Sequence, residues 1–483
     1  MTQDPRELYQ TVIGIEVHVQ LKTKSKLFCS CQNLFGSTPN SNICKVCTGM
    51  LGSLPVLNVA AVNHAISAGL ATGCSISKIS EFARKHYMYP DLPKNYQITQ
   101  DDKPVCQAGF LDIKVDNKVK RIRINRIHLE EDAGKNIHGE DLDSSKSFLD
   151  LNRAGTPLIE IVTEPDISSA EEAVAYLEAL KSIIEYTGVS DADMEKGSFR
   201  ADVNISVKKK EASQYGQRVE LKNINSIKFI YNAIKYEEDR HVTALENGEK
   251  ITQETRLWDD KKGCTVFMRS KESAHDYRYM LEPDLPMLII DDDWVSRMQE
   301  SLPELPNTKR LRFIEQYDLS EYEANILTSD RKIADYFEMV VSFCKSPKKS
   351  ANWILRDVLG FVKENKVELS DMLIKPEMLA ELISELDRGV INSKVAQEIF
   401  AEMSTSGKYP SIIIQEKGLV QIGSEDELGK IVDQVIAENP QQSEQFRMGN
   451  ERIFGFLVGQ AMKLSKGKAN PSVLNKIFKD KLK

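Results

Sequence analysis

Hydrophobic and polar positions alternate with a period of two in several stretches of roughly the first three hundred residues, then with a period near 3.6 along the rest of the chain. In residues 11–21, TVIGIEVHVQL, Ile13, Ile15, Val17 and Val19 face one way and Gly14, Glu16, His18 and Gln20 the other. Strand side chains point to opposite faces in turn, so this segment predicts a strand that presents a carboxylate and an imidazole on its polar side. Residues 121–135, RIRINRIHLEEDAGK, repeat the pattern: Ile122 and Ile124 are in phase, a slip follows at Asn125 and Arg126, and Ile127 and Leu129 resume. His128, Glu130 and Asp132 then share the face opposite Ile127 and Leu129. Acidic residues are poor strand formers, so propensity does not put them there. Gly134 and Lys135 end the stretch as a turn with a cation beside it.

Three further segments behave alike. LDLNRAGTPLIEIVTEPD (149–166) gives a turn at Gly155 and Pro157, then a short apolar strand with Glu160 and Glu164 on one face. MEKGSFRADVNISVKKK (194–210) buries Val203, Ile205 and Val207 and turns Asp202, Asn204 and Ser206 away. VELKNINS (219–226) sets Glu220 and Lys222 opposite Val219 and Leu221. Helical spacing is predicted over 57–73, with a Gly73 stop, over 168–188, ending at Gly188, and over 227–246, starting after Ser226. A sheet with one face on helices and one face wet produces such alternation by itself. A merely wet face favours Thr, Lys and Gln, whereas Glu, Asp, Asn and His recur here. The reading is a wide polar cradle able to hold a divalent cation and phosphates.

After Pro286 the pattern becomes helical. One helix is predicted over 376–386, with Pro376 in its first turn and a Gly389 stop; another starts near Ser393; a third starts with Ser424 and Glu427 spaced as a capping box and stops before Pro440. Residues 407–423 look like a connector.

Composition changes the picture little: 41% apolar and 28% charged residues in 483 are those of a globular chain of two to four domains. No apolar run of about 18 residues predicts a membrane span, and MTQDPRELYQ lacks the basic-then-apolar order of a signal peptide, so a cytoplasmic protein is expected. The net charge of −8 speaks against nucleic acid, but it is uneven. From Met462 to Lys483 seven lysines face one acid, Asp480, which suits either a nucleic-acid contact or a solvated terminus.

Candidate chemistry sits in three further places. Cys29-x-Cys31 and Cys44-x-x-Cys47, twelve residues apart, have zinc-ligand spacing, and with four thiolates such a site is structural. Four reduced thiols are the alternative. EFARKHYMYPDLPKNYQITQ (81–100) interleaves Arg84, Lys85 and Lys94 with Tyr87, Tyr89 and Tyr96; Pro90 and Pro93 argue against a regular element, and charge beside stacking surfaces suits a nucleotide or an RNA end. RSKESAHDYRYMLEPDLPML (269–288) carries Arg269, Lys271, Asp276, Arg278 and Glu282. No P-loop, GxGxxG, kinase motif set, HExxH or GxSxG elbow is present, nor a Gly-Ser-rich amidase loop, so nothing obviously hydrolyses an amide.

Together GIEVHVQL (14–21), the cysteine cluster leading into LPVLN (54–58), YPDLPKNYQITQ (89–100), IHLEEDAGK (127–135), LNRAGTPLIEIVTEPD (151–166), MEKGSFRADVNISV (194–207), ELKNINS (220–226), ETRLWD (254–259) and RSKESAHDYRY (269–279) closely resemble the GatB family, the B subunits of the aspartyl/glutamyl-tRNA amidotransferase. GNERIFGFLVGQAMKLSKGKANP (449–471) resembles that family's helical tail. Lys45, where many relatives have proline, and the Met280–Pro283 run depart from the family pattern. The resemblance implies an α+β fold: a mostly antiparallel-sheet catalytic cradle with flanking helices over 1–293, followed by an all-α helical domain over 294–407 and a helical tail domain over 408–483 that contacts tRNA. It implies partners, subunits A and C, with ammonia made from glutamine by the first of them and delivered through an internal channel. It implies ATP- and Mg²⁺-dependent phosphorylation of the side-chain carboxylate of Glu-tRNA(Gln) or Asp-tRNA(Asn), followed by amidation.

The resemblance also carries residue roles. Glu16, His18 and Glu131, with Glu130 adjacent, fall at the family's metal centre. Arg84, Lys85 and Lys135 are candidates for the ATP phosphates. Glu160, Asp202, Asn204, Lys222, Arg269 and Lys271 line the cradle or the ammonia path, and Cys29, Cys31, Cys44 and Cys47 fall at its zinc cysteines. Two other readings stand beside this one: an RNA-binding zinc protein without catalysis, and a free-standing carboxylate–amine ligase. Glu131→Gln separates the first two, since loss of transamidation with tRNA binding retained requires an enzyme.

Overall fold

A computed structural model of the chain describes residues 5–137, 146–270, 277–419, 425–465, 469 and 471–482. It divides into two compact units, Met1–Pro306 and Asn307–Lys483.

The first unit is built on strands in chain order. They are β1 (Tyr9–Gln20), β2 (Ser75–Ile76), β3 (Ile79–Ser80), β4 (Ala83–His86), β5 (Tyr96–Thr99), β6 (Cys106–Val115) and β7 (Lys118–Glu131). There follow β8 (Lys135–Ile137), β9 (Phe148–Asp150), β10 (Pro157–Thr163), β11 (Phe199–Lys209), β12 (Val219–Lys222), β13 (Glu254–Asp259) and β14 (Cys264–Ser270). Nine of them form one sheet in the order β14-β13-β12-β11-β1-β10-β7-β6-β2. Its pairs are antiparallel except β12 with β13. The predicted slip is a bulge: Arg126 pairs with Val162 and Ile124 with Thr163, leaving Asn125 without a partner across the strand.

The apolar face of the sheet (Ile13, Ile15, Val17, Val19, Ile127, Leu129, Ile159, Ile161, Val203, Ile205) is buried under three helices, α1 (Val59–Ala71), α2 (Ala170–Tyr186) and α3 (Ile227–Glu246). Each begins where the sequence offers an acceptor for its unpaired amides: Asn58 caps α1, Ser169 caps α2 through Glu172 N at 3.1 Å, and Ser226 caps α3 through Phe229 N at 3.2 Å. With that face covered, the even-numbered positions of β1 are left to face a cavity.

Two sequence expectations change here. Helical character begins at Asp292–Ser301 (α4), but Trp294, Val295 and Met298 pack on the sheet unit's core and Trp294 Nε1 donates to Asn63 at 2.8 Å, so this helix belongs to the first unit. The proline loop at 90–93 is flanked by regular structure after all, because β4 and β5 pair on either side of it, Arg84 against Ile98.

α3 is tied to the sheet edge by a buried ion cluster. Glu237 accepts from Arg240 at 2.7 Å and from Thr265, and lies 3.2 Å from both Arg256 and His241. Burial alone would raise the Glu237 carboxyl, but these donors hold it at about 2. A carboxyl held below its unfolded value stabilises the fold above about pH 4.5 and loses that contribution as pH falls toward 2. Glu237→Gln is therefore expected to cost on the order of 3 kcal/mol at neutral pH, with the difference from wild type closing between about pH 4.5 and 2 in acid-unfolding curves. A gap that stays constant with pH would refute this account.

The second unit contains two separate apolar clusters. One includes Phe313, Phe337, Val340, Leu382 and Phe400, and the other Leu428, Val432, Leu457, Leu474 and Phe478. The predicted helices lie at Pro376–Asp387, with the proline at its start, at Ser393–Ser406, closed by Gly407 at φ 66°, and at Glu425–Glu438. Ser424, the expected cap of the last, lies outside the described residues. Among the described residues no helix is long and apolar enough to cross a membrane.

Candidate functional site

Strand register arranges the polar face in rows. Across β11, β1, β10 and β7, Arg200 lies opposite His18, His18 opposite Glu160, and Glu160 opposite His128. One step along the strands, about 7 Å away, Asp202 lies opposite Glu16, Glu16 opposite Val162, and Lys222 reaches across to Asp202. A third row holds Glu220, Asn204 and Gly14, with Asn204 Nδ2 donating to Glu16 at 3.0 Å and Thr255 Oγ1 to Glu220 at 2.9 Å.

Two groups of ligand atoms converge within 4.8 Å: His18, Glu130 and Glu160, and beside them Glu16, Asp202 and Glu220. Glu160 sits between two imidazoles, 3.4 Å from His18 Nε2 and 3.4 Å from His128 Nε2, with Glu130 3.7 Å from each. Burial disfavours both imidazolium ions, yet the carboxylates win: Glu160 and Glu130 raise His18, and lift His128 to about 9. Burial likewise would raise Glu130 and Glu160, and the histidines hold both below the ordinary carboxylate range. Glu16 is pushed up, by burial first and then by Glu160, with Lys222 opposing. Glu16, Asp202 and Glu220 repel one another in a partly dry site, and such a group is completed electrostatically by a cation.

These rows border a cavity of 680 Å³, lined in part by His18, Lys85, Glu130, Asp132, Asp202 and Lys222. A smaller hollow of 280 Å³ adjoins Glu16 and Asn204. Asp132 is fixed by Gln20 Nε2 at 3.0 Å, Arg200 Nη2 at 3.1 Å and Arg153 Nε at 3.5 Å.

Of the residues expected at the site, Glu16, His18, Glu130, Glu160, Lys85, Asp202, Asn204 and Lys222 meet on this face or in these cavities. Glu131 does not join them. In β7 it follows the parity of Ile127 and Leu129, and its carboxylate accepts from Lys94 and from Ile98 N at 2.9 Å. Arg84 is committed to Glu282, with bonds of 2.7 and 2.8 Å, and stacks on Tyr96 at 4.4 Å. Lys135 is exposed in β8, paired with Asp150 of β9. Arg269 reaches the Tyr89 hydroxyl at 3.3 Å, and Lys271 and Asp276 lie outside the described residues. The site also contains His128, Glu220, Asp132, Arg153 and Arg200. His128 and Asp132 already shared a polar face in the sequence pattern, Glu220 stood on that of 219–226, and Arg200 stands two residues before Asp202 in the same alternation.

The cysteine cluster forms a second, separate centre. The four Sγ atoms of Cys29, Cys31, Cys44 and Cys47 lie within 4.8 Å of one another. Cys47, hydrogen-bonded by the Cys29 thiol and faced by the Lys26 ammonium, is held at about 4. Lys26, fully buried, donates to Asn42 O at 3.0 Å and to Cys47 Sγ at 3.6 Å. The donor set, with one thiolate already favoured, fits a tetrahedral soft-metal site. Gly155 takes φ +85°, a backbone conformation that favours glycine; its carbonyl accepts from Leu27 N at 2.9 Å and its N–H donates to Asp132 O at 2.9 Å. The cluster and the cavity wall thus share one turn.

Residues 11–296 match the family model described as "GatB/GatE catalytic domain", and 335–482 match that described as "GatB domain". The chain is 51% identical over 475 residues to the aspartyl/glutamyl-tRNA(Asn/Gln) amidotransferase B subunit of Geotalea daltonii, covering 98% of this chain and 99% of that one. The proteins of the same name from Persephonella marina and Carboxydothermus hydrogenoformans are each 50% identical, over 476 and 475 residues; both matches cover 98% of this chain, and 100% and 99% of theirs. With both family models matched in order along one chain, and half of all positions identical over nearly its whole length, the chain belongs to the GatB family.

Proposed function

We propose that this chain is the GatB component of a glutamine-dependent tRNA amidotransferase. The proposed step activates the side-chain carboxylate of glutamate or aspartate misacylated onto tRNA(Gln) or tRNA(Asn). The observation that carries the reading is the pair of carboxylate-rich groups side by side on the one wet face of the sheet. A carboxylate is a poor electrophile because oxide is a poor leaving group. Its oxygen attacks the γ-phosphorus of ATP, the bond from that phosphorus to the bridging oxygen breaks, and ADP leaves. Ammonia then adds to the acyl carbon and phosphate departs, giving the amide.

The chain's own residues hold and orient the reactants. Mg²⁺, when bound by His18, Glu130 and Glu160 and by Glu16, Asp202 and Glu220, supplies neutralisation of the phosphoryl oxygens. Lys222, bound to Asp202, and Lys85, 4.9 Å from the Tyr277 ring centroid, bring fixed positive charge to the cavity wall. Glu131 is left out of the metal set because Lys94 and Ile98 N already occupy its carboxylate.

The same reading assigns a structural Zn²⁺ to the four cysteines. Subunits A and C are the partners in a cytoplasmic heterotrimer, with ammonia channelled from the first of them, and the basic tail contacts tRNA. The cradle, expected over 1–293, extends through α4 to about residue 306. The helical domain follows to 407, and the tail domain to 483.

The test uses the assembled complex, with glutamine withheld and hydroxylamine as trap. ADP release and a hydroxamate at the side-chain carbonyl of the aminoacyl group, formed only with ATP, are expected with charged tRNA and not without it. ADP release indifferent to charged tRNA would overturn the reading, and no turnover with either tRNA would leave an RNA-binding protein.

A further inference from the structure

Buried polar atoms without a hydrogen-bond partner are rare in proteins. Among the described residues, Arg200 Nε and His128 Nδ1 are two of them, and both lie on the row that holds His18 and Glu160. Arg200 also lines the 680 Å³ cavity. Its Nη2 donates to Asp132 at 3.1 Å, which fixes the guanidinium plane and leaves the Nε–H edge unused.

The other cations of the cavity wall are differently engaged. Arg153 donates to Ala133 O at 3.0 Å and Gly134 O at 2.6 Å, Lys222 binds Asp202, and Lys85 lies over the Tyr277 ring. An incoming carboxylate must enter a space already lined by Glu130, Asp132 and Asp202, which repel it. It needs a counter-charge outside the two metal-type groups, and a guanidinium edge matches a carboxylate in geometry as well as sign.

We infer that Arg200, oriented by Asp132, binds the side-chain carboxylate of the aminoacyl group beside His18 and so selects the acid over its amide. This rests on the reading of the site as the place of carboxylate phosphorylation. The reaction's product carries an amide, which offers the Nε–H edge no charge, so Arg200 also favours product release.

The experiment measures binding of glutamyl-tRNA(Gln) and glutaminyl-tRNA(Gln) to the assembled complex, together with KM for ATP, in wild type, Arg200→Gln and Arg200→Lys. Wild type is expected to prefer the glutamyl form on the order of 10-fold or more, the range of a charge-assisted hydrogen bond. In Arg200→Gln the ratio is expected to fall toward one, with KM for ATP within about twofold. Arg200→Lys, which keeps the charge and loses the fork, is expected to fall between, and it carries the test if the glutamine variant does not assemble. A ratio unchanged by either substitution, a wild-type ratio of one, or a rise in KM for ATP matching the loss of preference would overturn the inference, the last by moving the contact to phosphate. Failure of wild type to release ADP with charged tRNA would instead sink the underlying reading, whatever the binding ratio.

Discussion

Glu160→Gln is expected to lower charged-tRNA-dependent ADP release on the order of 10²–10⁴-fold while leaving tRNA affinity within about twofold. One Glu160 oxygen stands 3.4 Å from two imidazoles at once and belongs to a group of ligand atoms within 4.8 Å. The amide keeps the shape, so the strand pairing of β1, β10 and β7 is untouched. It removes the charge that the two histidines are built around and a ligand for the cation that the site suits. RNA contact in this scheme is made by the basic tail, which belongs to the other unit, so affinity is a control for assembly. Retention of more than a tenth of the wild-type rate would show that the chemistry lies elsewhere. Glu131→Gln is the less direct test, because its carboxylate serves Lys94.

The second large effect is local and structural. Between Cys29 and Val59 every residue but one is exposed or only partly buried, and the exception is Cys47. A loop with so little core is ordered by its cross-link or not at all. Cys47→Ser, or prolonged treatment of the wild type with a strong chelator, is expected to take bound zinc from one per chain to well below one and to open the loop to protease. Metal worth even about 3 kcal/mol of local order would raise the cleavage rate about a hundredfold. Because Leu27, next to Lys26, donates to Gly155 O at 2.9 Å and the Gly155 amide donates to Asp132 O at 2.9 Å, a smaller loss of ADP release is expected alongside. Wild-type protein without zinc and with the loop equally resistant would mean that four thiols suffice.

The strands and the contents of their polar faces were legible because period two survives intact wherever helices cover one side of a sheet. Even the slip at Asn125 and Arg126 is the bulge opposite Val162 and Thr163. The resemblance put Glu131 at the metal centre with Glu130 adjacent, whereas the structure sets Glu130, which shares the parity of His128 and Asp132, beside His18. The order of strands was not legible. Nothing local says that residues 9–20 lie between residues 157–163 and 199–209, and only that order sets Arg200 against His18 and His18 against Glu160. The engagement of Arg84 escaped for a related reason: its partner, Glu282, is 198 positions away.

The first strand to be synthesised is the central one, and it finds its neighbours only after the chain has grown to Val162 on one side and Lys209 on the other. At ordinary elongation rates of about 5–20 residues per second, its two open edges and the row Ile13, Ile15, Val17 and Val19 wait on the order of 10–40 s for cover. During biosynthesis the segment bearing Glu16 and His18 is thus the part of the molecule most open to mispairing with other chains. High contact order makes its completion slow as well. A chain stalled before β11 has the residues of half the catalytic face and no face, because β1 then still lacks one of its two neighbours.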